Sequence, residues 1–305
     1  MCAIEWLFFT VASSNMTQQL KGVETIIRNV PMHWVGDGFP VRSMFNYQQG
    51  AQFDPFLLLD YASPYRFAPA KAKHGVGEHP HRGFETVTIV YQGEVEHRDS
   101  GGNHGTIAAG DVQWMTAAGG VVHEEFHSER FAREGGTFEV VQLWVNLPAK
   151  DKLSAPRYQG ITKADIPTVN LPNCAGTLRV ISGEYAGVRG PAKTFTPIYL
   201  WDAQLTSGKE VEFSVPENYT TLVVVQHGAV LVNDTTEGRP AELILLERAG
   251  NRFKLSAQEE TRALILCGEP LNEPVVGQGP FVMNTREQIR EAITDFQSGR
   301  MGRLH

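Results

Sequence analysis

Cysteine is scarce in this chain. Cys2, Cys174 and Cys267 are the only three in 305 residues, an odd number with no Cys-x-x-Cys spacing. That argues against a disulfide framework and fits a reducing compartment, with Cys174 and Cys267 as ordinary packed or partly exposed thiols. Positive charge is thin as well. There are 27 Lys and Arg against 34 Asp and Glu, a formal net charge of −7, and the basic residues are dispersed. Without a Lys/Arg-rich block there is no electrostatic footprint for direct nucleic-acid binding. Long apolar runs are also missing. The stretch from Ile4 to Ala12 is apolar but interrupted by Glu5, and no basic residue precedes it. It is too short for a transmembrane helix and lacks the basic start of a signal peptide. We read residues 1–16 as an extension outside the fold, with Met16 as an alternative start of translation. No other segment could span a membrane, so no membrane partner is expected and the location is expected to be cytoplasmic.

Helical periodicity is the last absence. From Phe84 to Leu147 the chain instead offers short β-branched and aromatic runs separated by turn residues. Thr86, Thr88 and Val90 alternate with Val87, Ile89 and Tyr91, which favours a strand. Val95 to Arg98, Val112 to Met115, Val121 to Glu125 and Phe138 to Leu147 read as further strands, and Gly93, Gly119 and Gly120 mark turns. Ser63 to Lys73, punctuated by Pro64 and Pro69, reads as loop. The second half is β-rich again, over Val211–Val215, Leu222–Val232, Leu243–Glu247, Phe253–Ser256 and Ala263–Cys267. The length suits two domains. We divide the chain into residues 17–155 and residues 156–305, the same all-β architecture used twice. One helix is predicted near the end. Thr285 and Gln288 form a capping box, Ile289, Ile293 and Phe296 an apolar stripe, and Gly299 a stop.

The chemistry concentrates in His79-Pro80-His81-Arg82-Gly83-Phe84-Glu85 and, after a Gly-rich turn, His123-Glu124-Glu125. Side chains i and i+2 of a strand share a face, so each segment can aim two ligand atoms in one direction. If two such strands face each other inside a barrel, three imidazoles and one carboxylate converge. That donor set suits one divalent transition metal per chain, with positions left open. By parity Glu85 also lies on the face of His79 and His81 unless a bulge intervenes at Gly83, so either Glu85 or Glu125 can be the carboxylate. His97, His104 and His127 are rival ligands. His97 lies in the polar run Glu96-His97-Arg98-Asp99 and reads as solvated, His104 sits in a loop tip, and His127 shares parity with Glu125. Arg82 reads as a salt-bridge residue.

His79-Pro80-His81-x3-Glu85-x7-Gly93 and Gly110-Asp111-x8-Gly120-x2-His123 are the two half-motifs of the cupin barrel. HPHRGFETVT, EVEHRDS, GDVQWMTAAGGVVHEE, QLWVNLP and the tail EPVVGQGPFVMNTREQIREAITDFQSGRMG together resemble the pirin family. The resemblance runs from about residue 20 to the end. It implies a bicupin, two β-barrels packed face to face, with a C-terminal helix and the metal in the first barrel. It places the ligands on His79, His81, His123 and Glu125, with Glu85 beside them orienting an imidazole. The second half has no His-x-His, and its His227 stands alone, so the second barrel is expected to be metal-free. The implied metal is Fe(2+), with Mn, Co, Ni, Cu or Zn able to occupy such a site. The implied reaction is the 2,3-dioxygenation of a quercetin-like flavonol, with O2 as co-substrate, release of CO, and Glu125 or Glu85 taking the hydroxyl proton. The alternative is a non-enzymatic iron- and redox-sensing regulator with a protein partner, such as a transcription factor or metabolic enzyme.

Overall fold

The computed structural model describes residues 19–304. The expected extension over residues 1–16 lies outside them. The chain forms two halves, each built from a seven-stranded and a four-stranded antiparallel sheet. In the first half the large sheet runs Arg157–Ile161, Val112–Thr116, Phe84–Gln92, Gly136–Asn146, Phe56–Phe67, Phe39–Asn46, His33–Val35. Its small sheet runs Gly75–His81, Val121–His127, Glu94–Asp99, His104–Ala108. In the second half the large sheet runs Val23–Ile27, Glu242–Leu246, Thr220–His227, Thr261–Gly268, Ile198–Leu205, Gly176–Ser182, Thr168–Asn170. The small sheet there runs Glu210–Ser214, Arg252–Ala257, Val230–Val232, Thr236–Gly238.

Alternation along the strands decides where each side chain goes. Leu222 and Val224 point into a core shared with the first half, where they meet Leu59, Ile89, Trp114 and Leu143. Val223 and Val225 point the other way, into the interior of the second barrel, with Trp201, Phe213 and Phe253. Both faces of this sheet are therefore buried, which is why its strands read as continuous apolar runs. Each such side chain contributes about 1.5–3 kcal/mol of burial. The second barrel's interior is filled by apolar side chains, and His227 lies outside it, exposed.

The shared core ends in a polar cluster. Glu139 of the first half is fully buried and accepts from Tyr61 Oη (2.7 Å), Gln92 Nε2 (2.9 Å) and the guanidinium of Arg262 from the second half. Arg262 also stacks over the Tyr91 ring, 4.5 Å from its centroid.

Three expectations change. The halves exchange strands: Val23–Ile27 pairs with Leu243–Leu246 in the second barrel, and Arg157–Ile161 pairs with Val112–Thr116 in the first. A boundary at residue 155 therefore cuts across both sheets. Ser63 to Phe67 is strand, not loop, because Pro64 falls at a bulge where Phe138 and Val140 pair with Tyr65 and Ala62. A bulge tolerates the missing N–H of proline. The C-terminal helix, Arg286–Gln297, has the expected Thr285–Gln288 capping box, but it returns to the first barrel. Its Ile289 and Ala292 pack with Phe281, Met283 and Val122, while Phe296 is 39% exposed. Cys174 is exposed and Cys267 buried, both free.

Candidate metal centre

The two histidine-bearing segments are neighbours in one sheet and do not face each other across the barrel. Val121–His127 is flanked by Gly75–His81 on one side and Glu94–Asp99 on the other. His79 stands directly opposite His123, and His81 is one same-face step further on, opposite Val121. Cross-strand partners stand about 5 Å apart at Cβ, so this register alone gathers the imidazoles. The ring centroids lie 4.2 Å (His79–His123), 4.8 Å (His81–His123) and 4.9 Å (His79–His81) apart. The pairing slips between His123 and Glu125, but Glu125 keeps its parity and faces His97 on the other neighbour.

Two overlapping groups of donor atoms result, each within 4.8 Å. One is His79, His81 and His123; the other is His97, His123 and Glu125. His123 belongs to both, so His79, His81 and Glu125 each approach the same imidazole. His79 Nδ1 is held by the Gly77 carbonyl (2.8 Å), which leaves Nε2 as the free donor. His81 Nδ1 and His123 Nε2 are buried with no protein partner. Buried ring nitrogens without partners are rare in a folded chain. Burial, then the neighbouring His79, pushes His81 and His123 well below the usual imidazole range. Both rings are therefore neutral at pH 7 and carry the lone pair a metal needs. The donor set fits a divalent metal.

Polar residues surround the donors. Glu125 Oε1 accepts from Thr88 Oγ1 (3.3 Å) and Gln113 Nε2 (3.5 Å), and Thr88 also bonds Gln142 (2.7 Å). Tyr158 donates to Gln113 Oε1 (3.3 Å). Burial, then the charges of Asp99 and Glu125, pushes its phenol up to about 12. The Thr86/Thr88 alternation thus has a meaning. The threonine face lines this polar interior, and the Val87/Ile89 face joins the core between the barrels.

His97 is buried, not solvated. Its ring stacks on Tyr158 at 5.1 Å, its Nε2 meets Asp99 Oδ2 at 3.1 Å and its Nδ1 lies 3.4 Å from His123 Nδ1. Burial raises Asp99, but the bonds to His97 and Asn103 outweigh it and hold the carboxyl below its ordinary value. The charged neighbours Glu96 and Arg98 point outward, so the run is polar for two different reasons. The shared parity of His97 and Asp99 was the available signal. Gln113, Gln142 and Tyr158 left none that composition or spacing could reveal.

Glu85 does not stand beside the imidazoles. The chain leaves the small sheet at His81 and enters the large one at Phe84, through Gly83 at φ +96°. Parity does not carry across that change of sheet. Glu85 faces away from Thr86 and Thr88, accepts from Thr116 Oγ1 (2.6 Å) and lies 3.8 Å from Arg157. Burial raises its carboxyl. Among the described residues it bonds no imidazole, which removes its expected orienting role. His127 is also elsewhere, bonded to the Gly38 carbonyl (2.8 Å) among Phe39, Phe67, Phe131 and Phe138. His104 is exposed. Arg82 is held in a salt bridge to Asp295 (2.7 Å).

Two β-barrels packed through their large sheets, with a histidine cluster inside the first, define a bicupin. The chain belongs to the pirin family: residues 38–145 match Pirin, and residues 200–302 match the Pirin C-terminal cupin domain. A Pseudomonas aeruginosa protein provisionally named a quercetin 2,3-dioxygenase is 56% identical over 287 residues, covering 94% of this chain and all of that one. Pirin-like protein 2 of Arabidopsis thaliana is 36% identical over 275 residues, covering 88% of this chain and 81% of that one. A crystal structure of quercetin 2,3-dioxygenase from Acinetobacter baumannii superposes with a TM-score of 0.91 at 55% identity, covering 93% and 99%. No helix among the described residues is long and apolar enough to cross a membrane.

Proposed function

We propose that this pirin is a metal-dependent dioxygenase that opens quercetin-like flavonols at the 2,3 position. Flavonol and O2 give the ring-opened ester and CO. The observation that carries the reading is the pair of buried, partnerless ring nitrogens on His81 and His123, set beside His79 and Glu125 in a polar barrel interior. The names of the bacterial relatives support the substrate class. His79, His81, His123 and Glu125 are the proposed ligands of one divalent metal, Fe(2+) by preference. Such an ion supplies Lewis-acid and one-electron chemistry when bound.

The chain's own residues do the rest. Neutral imidazoles add no positive charge, so an ion held by these residues would supply the charge that an anionic enol oxygen needs. Glu125 is the base for the flavonol 3-hydroxyl proton. The bonds from Thr88 and Gln113 both fall on its Oε1, which leaves Oε2 to face that proton. Glu85, committed to Thr116 on the far face, has no part in the step. His97, fixed by Asp99 and Tyr158, keeps the His123 ring in place.

Protein loaded with Fe(2+) under anaerobic conditions is expected to consume O2 and release CO in equal amounts once quercetin and air are added. The His81→Ala variant is expected to do neither. Wild type with bound iron that leaves quercetin intact overturns the proposal and favours the regulator.

A further inference from the structure

The C-terminal segment meets the first barrel at the two turns that carry the ligand strands. Val282 N donates to the Arg82 carbonyl (3.1 Å), and Arg82 N donates to the Pro280 carbonyl (3.3 Å). A Cβ on Gly83 would lie 1.9 Å from the Val282 carbonyl oxygen, so the tail backbone sits closer to this turn than any other residue would allow. Lys152 Nζ joins the Gly83 carbonyl (2.7 Å) to the Val282 carbonyl (3.1 Å). The buried guanidinium of Arg82 donates through Nε to the Gly119 carbonyl (2.7 Å) and through its terminal nitrogen to Asp295 Oδ2 (2.7 Å). Arg82 follows His81 directly, and Gly119 opens the turn into the strand of His123 and Glu125. One guanidinium, held by one carboxylate of the tail, thus ties both half-motifs together. Further on, the Met301 carbonyl accepts from Ser100 Oγ (2.7 Å), and that oxygen accepts from Val122 N (3.1 Å), next to His123.

We propose that residues 280–301 form a strap that is a working part of the metal centre, with Asp295, acting through Arg82, as its main positioning residue. The strap holds the turn after His81 and the turn before His123 at the spacing that brings the imidazoles together. Strap docking and metal binding are then linked. Whatever factor the docked strap adds to metal affinity, the bound metal adds to strap docking. The proposal rests on reading the histidine cluster as a metal centre.

The test uses the full chain and Ni(2+), which is stable in air. Asp295→Ala is expected to bind Ni(2+) about tenfold more weakly, about 1.4 kcal/mol. Asp295→Asn, which keeps an oxygen for Arg82, should recover part of that loss. Val223→Ala, a cavity inside the second barrel, serves as a control for general destabilisation and should keep wild-type affinity. In wild type, Ni(2+) should slow hydrogen exchange across residues 280–301, and this arm needs no variant. Wild-type affinity in folded Asp295→Ala, an equal loss in Val223→Ala, or strap exchange unchanged by Ni(2+) overturns the strap. Failure of wild type itself to bind Ni(2+) overturns the metal reading beneath it, a different result from a strap that fails while wild-type binding stands.

Discussion

Replacing Arg262 with methionine tests how the two barrels are held together. The substitution keeps much of the side-chain volume and removes the charge. Glu139, with no exposed surface, is left as a buried carboxylate facing only two neutral donors, Tyr61 and Gln92. Stranding one member of a buried ion pair costs about 3–5 kcal/mol. The opposite deletion should be milder. In Glu139→Gln an oxygen remains for the Tyr61 hydroxyl. The freed Arg262 side chain, 23% exposed, keeps solvent and the face of Tyr91. A cost of about 1–2 kcal/mol is expected there, in the range of one lost hydrogen bond with imperfect replacement. Glu139→Gln with Arg262→Met removes both charges and should recover much of the loss, a coupling that the double-mutant cycle reads directly. Urea unfolding followed by tryptophan fluorescence gives the four free energies. Equal costs for the two single variants, or a double variant less stable than Arg262→Met, would refute the reasoning.

Two further outcomes follow from the site and its surroundings. Asp99→Asn, which weakens the hold on His97 and so on His123, should lower metal affinity about 10–100-fold while the fold persists; chelator competition measures it. Lys152 is pushed down to about 7 by burial, which outweighs the opposing charges of Glu273 and Asp54. The unfolded chain then holds a proton that the folded chain lacks between about pH 7 and the ordinary lysine value near 10.5. The Lys152 contribution to stability should accordingly rise as pH climbs from 7 to 9. Lys152→Met should lose that slope, and urea midpoints at three pH values decide it.

The parts of this protein that could be read from its sequence are the local ones. Strand parity places His79 with His81 and His123 with Glu125, and the capping box at Thr285 marks the helix, because each depends on neighbours within a few residues. The errors lie where distant segments decide. Glu85 looked like a companion of His81, but the chain changes sheets at Gly83 and the parity count restarts. His97 looked solvated because its sequence neighbours are charged, while the sheet sends alternate side chains to opposite sides. Val23–Ile27 and Arg157–Ile161 join sheets of the other half through pairings hundreds or dozens of residues away. No local periodicity encodes those.

The exchange of segments between the halves also sets an order in time. During synthesis the first barrel's own strands emerge early, yet its edge strand Arg157–Ile161 follows later and the tail that clasps Arg82 comes last. Val23–Ile27, among the earliest strands to emerge, waits for Leu243–Leu246 before it has a partner. Domains tend to fold in the order they are made. Both barrels can still form in that order, since their strands are complete at Ile161 and at Gly268, but the contact of Asp295 with Arg82 must follow both.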